Sequence, residues 1–172
     1  KRYILISGGS MGAGKLVLAI KLLYDRYKND KKTGLVVICG SNKWLYKQLA
    51  GHYPNKITAV RFTDKMAAYM RMADVFVTKP GGLSTTEGAV LGVPMVHIMS
   101  IPGCETRNMR FFAQYGMSVP VKRIGMGLPN ATDRLLSRAE AEKITDNQRK
   151  YINSTAAADI CRLAEKLINN GL

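Results

Sequence analysis

Short runs of consecutive apolar residues alternate along this chain with stretches in which apolar side chains recur every third or fourth position. The first pattern suits strands covered on both faces, the second helices with one buried stripe. Tyr3 to Ser7 reads as a strand that breaks into Gly8-Gly9, and Leu16, Ile20, Leu23 and Tyr27 then mark a helix over roughly Gly14 to Lys28. Leu35 to Cys39 is an almost unbroken apolar strand, followed by a helix over Lys43 to Leu49 and a strand over Ile57 to Phe62. Thr63 or Asp64 is placed to cap a helix running to about Met72. Asp74 to Thr78 is the next strand. Ser84 with Glu87 three residues on has the capping-box pattern of a helix start, and Gly92-Val93-Pro94 ends that helix. A strand over Met95 to Met99, a helix over Glu105 to Tyr115 and a short strand at Ser118 to Val121 continue the alternation. Lys122 to Asn130 reads as a glycine-containing loop. Helical stretches follow, the last with Ala156, Ile160, Leu163 and Leu167 on one face.

Strands alternating with helices imply an α/β fold: a Rossmann-like parallel sheet with helices on both faces. Such sheets bind ligands beyond the carboxyl ends of their strands, which points to the loops after Ser7, Phe62, Thr78 and Met99. With 172 residues and no internal repeat, residues 1–172 suit one domain. A strand this close to the first residue is the expectation for a piece of a longer protein.

Composition then narrows the partners. A hydrophobic fraction of 47% with 16 glycines argues for a folded α/β protein and against disorder. No apolar run approaches the ~18 to 20 residues that cross a bilayer, and no signal-peptide pattern opens the chain. Cys39, Cys104 and Cys161 show neither pairing nor metal-ligand spacing, the usage of a cytoplasmic protein with reduced thiols. The net charge of +14 suits nucleic acid, anionic membranes or phosphorylated ligands. Lys21, Arg26, Lys28, Lys31 and Lys32 gather on one helix and its following loop, either as a solvated face or as a membrane-contacting patch. Aromatic residues are not interleaved with the basic ones, so no nucleic acid partner is expected.

Three segments carry candidate chemistry. Gly8-Gly9-Ser10-Met11-Gly12-Ala13-Gly14-Lys15 lies between a strand and a helix, where backbone N–H groups can hold a phosphate. Gly9 to Lys15 fits a truncated P-loop, but Leu16 stands where a magnesium-binding hydroxyl belongs. A tight turn with only a packing role fits the same residues. Lys79-Pro80-Gly81-Gly82-Leu83-Ser84-Thr85-Thr86-Glu87 joins a strand end to a helix start. Its glycines admit a ligand close to the backbone. Its N–H groups around Leu83, Ser84 and Thr85 could hold a diphosphate without a metal, and Glu87 could accept bonds from two ribose hydroxyls. The third segment, Pro102 to Asn108, offers Glu105 to sugar hydroxyls, or simply as a favourable charge in a first helical turn.

With these segments placed, the sequence resembles the C-terminal domain of glycosyltransferase family 28, nearly throughout to about Val121. The most specific stretch is Ala73-Asp74-Val75-Phe76-Val77-Thr78-Lys79-Pro80-Gly81-Gly82, continuing through Glu87, Gly92-Val93-Pro94 and Ile101-Pro102-Gly103 to Asn108. Its Thr-Lys-Pro-Gly-Gly form is similar to the diacylglycerol-transferring branch more than to the peptidoglycan branch. The resemblance implies the C-terminal, donor-binding half of a two-domain GT-B enzyme and inverting transfer of a hexose from a UDP-sugar to a lipid acceptor such as diacylglycerol. It places uracil against Phe62 and Thr63, ribose on Glu87, the diphosphate on Gly81, Gly82, Ser84 and Thr85 with Gly9 and Ser10 approaching, and the hexose on Glu105. It implies no metal, no cofactor, and an acceptor site and general base in an N-terminal domain outside this chain. No catalytic residue is therefore expected here; His97, in mid-strand, reads as a core histidine. An enzyme acting on a bilayer lipid would be cytoplasmic and peripheral on an anionic membrane surface. A P-loop-like nucleotide-binding protein and a UDP-sugar epimerase remain the alternative readings.

Overall fold

A computed structural model of the protein describes residues 1–8, 14–53, 55–98 and 102–169, without the side chain of Lys15. Strands β1 (Arg2–Ser7), β2 (Thr33–Ile38), β3 (Ile57–Val60), β4 (Val75–Thr78), β5 (Met95–Ile98) and β6 (Val119–Val121) form one sheet in the order β3-β2-β1-β4-β5-β6. Every pairing is parallel, with Ser7 level with Ile38 on one side and with Thr78 on the other. The strand order reverses between β1 and β4, which opens a crevice at their carboxyl ends. All six residues of β2 are buried, as its apolar run requires.

Helices α1 (Gly14–Tyr27), α2 (Lys43–His52), α3 (Met66–Met72), α4 (Gly82–Val90) and α5 (Cys104–Gln114) follow β1 to β5 in turn. The period-two alternation of strand side chains divides the core. Ile4, Ile6, Val75 and Val77 face the side covered by Leu16 and Leu23 of α1 and Leu45 of α2. Leu5, Val36, Phe76 and Met95 face the other side, against Met70 of α3, Ala89 of α4 and Phe112 of α5. Gly88 lets α4 approach closely, since a Cβ there would lie 2.9 Å from the Met95 sulfur and 3.4 Å from a Phe76 ring carbon.

Three further helices follow β6: α6 (Ile124–Leu135), α7 (Arg138–Tyr151) and α8 (Ala156–Asn169). The loop expected over Lys122 to Asn130 is thus corrected to the first half of α6. Gly125 departs from helical geometry, so the regular turns begin after it and Pro129 falls near their start, where a missing N–H costs little. Burial of Leu128, Ala131 and Leu135 in the core holds the segment helical. Helix α7 packs Ile144 into that core and buries Gln148, whose amide donates to the carbonyls of Val93 and Met117, both at 3.0 Å. No side chain of α8 is buried.

Candidate functional site

The loop between β4 and α4 lies at the crevice. Helix α4 begins at Gly82 with Gly81 as its N-cap, extended at φ −72° and ψ 146°, and no side chain caps it. The capping box expected at Ser84 and Glu87 is therefore corrected: the helix starts earlier, Ser84 is its third residue, and Glu87 lies beyond the first turn. The first intrahelical bond runs from the Thr85 N–H to the Gly81 carbonyl at 3.2 Å. The amides of Gly82, Leu83 and Ser84 precede it and have no partner among the described residues. This set is displaced by one residue from the expected Leu83, Ser84 and Thr85. Thr85 is fully buried, and its hydroxyl has no hydrogen-bond partner among the described residues. Its N–H is the one already bonded to the Gly81 carbonyl.

Neither glycine of the pair is required by conformation or by packing. Both have φ outside the left-handed region, and a Cβ on either would meet nothing within 4 Å among the described residues. Glu87 projects from the exposed face of α4 that also carries Leu83, which is 82% exposed.

Helix α5 flanks this loop. Its N-cap, Gly103, holds φ 102° and ψ −120°, a conformation that favours glycine. Glu105, in its first turn, is the one buried carboxylate among the described residues. The Lys79 ammonium lies 2.9 Å from its Oε1. One turn later the Asn108 amide donates to the Pro80 carbonyl at 3.0 Å. Two side chains of α5 thus hold the loop that launches α4. Lys79 and Asn108 stand in the quoted motif, but their partners lie far along the chain and nothing in local spacing reveals these contacts.

Beyond β3, Phe62 is 74% exposed and Thr63 half-buried, its hydroxyl accepting from the Lys65 N–H at 3.0 Å. Lys65, not Thr63 or Asp64, is the N-cap of α3. Phe62 and Arg61 line a recess with Gly40, Ser41 and Lys43 beyond the carboxyl end of β2. Gly9 and Ser10 lie outside the described residues. The structure therefore sets Gly81, Gly82, Ser84 and Glu105 around the loop after β4, puts Glu87 on the adjoining helix face, and leaves two strands, β2 and β1, between β4 and the strand that leads to Phe62 and Thr63.

Several other groups have structural roles. Leu16, in the P-loop's hydroxyl position, is fully buried in the core. An Asp74 carboxylate oxygen accepts from the Tyr3 N–H at 2.6 Å, tying β1 to the approach of β4. His97 is fully buried, with its Nδ1 3.0 Å from the Ser118 hydroxyl and its ring edge-on to Phe112. Burial pushes its pKa down to about 4. Of the five clustered cations, Arg26 pairs with Asp133 at 2.7 Å and Lys28 with Asp25 at 3.5 Å, which weakens the proposed patch. No described helix is long and apolar enough to cross a membrane.

Comparison with known proteins shows the family and the fold. The family model described as glycosyltransferase family 28 C-terminal domain matches residues 3–161. The processive diacylglycerol beta-glucosyltransferase of Bacillus pumilus (strain SAFR-032) is 29% identical over 177 residues, covering 99% of this chain and 45% of that protein. The chain thus spans less than half the length of that relative. The crystal structure of MurG from Acinetobacter baumannii superposes with a TM-score of 0.73 at 23% identity, over 97% of this chain and 50% of that one. A UDP-GlcNAc 2-epimerase from Neisseria meningitidis bound to UDP-GlcNAc gives 0.72 at 16% identity, over 97% and 44%. At these identities the two structures speak for the fold alone.

Proposed function

The chain belongs to the glycosyltransferase family 28 C-terminal domains, and from that premise we propose that it is the donor-binding part of an inverting UDP-sugar hexosyltransferase acting on a lipid such as diacylglycerol. One observation carries the reading: two adjacent glycines at a helix N-terminus needed neither for a turn nor for packing, beside three open amides. A ligand that must touch the backbone accounts for both. The diphosphate would sit on the N–H groups of Gly82, Leu83 and Ser84, with Gly81, Gly9 and Ser10 alongside. Glu87 would accept from the ribose hydroxyls, Phe62 and Thr63 would border the uracil, and Glu105 would meet the hexose.

When an acceptor hydroxyl displaces UDP from the anomeric carbon, negative charge grows on the departing diphosphate. Amides already aimed at that position stabilise it without reorganisation. No metal or cofactor is called for. Acceptor and general base would be supplied by a further domain, so residues 1–172 bind donor without transferring it; hexose transfer by this chain alone would contradict that. The relative's name directs the acceptor reading to diacylglycerol. Contact with an anionic bilayer is part of the proposal, through the recess between α1 and α2 where exposed Trp44 and Val17 lie with Lys21. Unchanged sedimentation with anionic vesicles on Trp44→Ala would remove that recess from consideration.

Calorimetric titration with UDP, and in parallel with ATP and magnesium, tests the central reading. UDP should bind without metal, and Glu87→Ala should weaken it by about 1.5 to 3 kcal/mol, the worth of hydrogen bonds to a charged group. Binding of ATP with magnesium but not of UDP would restore the P-loop-like alternative.

A further inference from the structure

A buried carboxylate beside an anion-binding helix end is an electrostatic contradiction unless something offsets it. Glu105 is 7% exposed, at the start of α5, and Asn108 on the same helix holds the Pro80 carbonyl. The carboxylate therefore belongs to the crevice wall whose neighbouring helix offers the amides of Gly82 to Ser84. An uncompensated negative charge there would oppose a diphosphate, because burial lowers the screening between like charges. Lys79 supplies the offset: its ammonium is 2.9 Å from Glu105 Oε1, and it stands three residues before the first residue of α4.

Resting on the reading of this crevice as a donor site, we infer that Lys79 is a positioning residue. It holds Glu105 in place and cancels its charge, so that a single wall accepts both a nucleoside diphosphate and the hydroxyls of its attached hexose. The pair makes the two subsites one electrostatic unit. Removing the cation takes away a charge that offsets the carboxylate; removing the carboxylate as well abolishes the conflict.

The test is a double-variant cycle on this chain, titrated with UDP and with UDP-glucose, with thermal unfolding of each variant recorded alongside. Lys79→Met should weaken UDP by about tenfold or more, the worth of one charged contact. Lys79→Met with Glu105→Gln should return UDP to within about threefold of wild type, since the two changes are coupled and not additive. Glu105→Gln alone should leave UDP as tight as wild type or tighter while weakening UDP-glucose relative to it, and Lys79→Arg should retain both. Where Lys79→Met fails to fold, Lys79→Gln, polar but uncharged, takes its place in the cycle with the same expected outcomes. If the double variant binds UDP as poorly as Lys79→Met, Lys79 acts by touching the phosphates itself and the inference falls. Loss of UDP binding in Glu105→Gln overturns it equally. Wild-type protein that binds no UDP overturns the donor reading and this inference with it, an outcome distinct from an additive cycle.

Discussion

Replacing Gly82 by alanine separates a glycine kept for the fold from one kept for a ligand. Gly82 is the first residue of α4, and a Cβ built on it meets no atom within 4 Å. Among the described residues the substitution therefore introduces no clash and removes no contact. Alanine loses less backbone freedom than glycine on entering a helix, by up to about 1 kcal/mol at an interior position and less at the first. For a domain of this size that corresponds to a rise in Tm of at most about 2 to 4 °C. The added methyl group stands beside the Gly82 N–H, one of three amides left open at this helix end. A diphosphate at hydrogen-bonding distance from those amides would be pushed away by it. Weakening one charge-assisted bond costs about 1.5 to 3 kcal/mol, or tenfold and more in Kd. Gly82→Ala should thus hold or raise Tm in a thermal unfolding scan while weakening UDP at least about tenfold by calorimetry. Undiminished UDP affinity would refute the argument, because the methyl group would then stand where no ligand comes. A fall in Tm would refute it differently, by showing a packing demand at this glycine.

Two further outcomes follow from the core. His97, whose pKa burial pushes from 6.5 to about 4, takes no proton in the folded state through a range where the unfolded chain does. Stability should therefore fall as pH drops from about 6.5 toward 4, by up to about 3 kcal/mol from this group, and a His97→Leu variant in denaturant titrations should lose less over that range than wild type. Gly88→Val should lower stability by about 1 to 3 kcal/mol, since even its first carbon must displace the Met95 sulfur at 2.9 Å; an unchanged unfolding midpoint would show that α4 can lift from the sheet.

The sheet was legible because each strand announces itself within a few residues. The unbroken apolar run of β2 and the stripe of Leu16, Ile20, Leu23 and Tyr27 on α1 need no distant information. The errors arose where two local signals compete. Gly125, Gly127 and Pro129 look like loop residues, and only burial of Leu128, Ala131 and Leu135 makes the segment a helix. Ser84 and Glu87 copy a helix start inside a helix that Gly81 begins. For the crevice, the sequence singles out the segments but not their joining. Lys79 meets Glu105 and Pro80 meets Asn108 only because β4 and β5 are sheet neighbours, a relation that neither period two nor period 3.6 records.

Gln148 adds a mechanical consequence. Its one amide group grips the carbonyls of Val93, just after α4, and Met117, just after α5. At their opposite ends the same two helices are latched by Lys79 with Glu105 and Asn108 with Pro80. A fork fastened at base and tines resists splaying, so a ligand arriving between its tines has little chain disorder left to quench. Binding there should tighten few amides against solvent exchange. Any movement that closes a larger enzyme over its substrate would carry this fork as a rigid passenger and bend elsewhere.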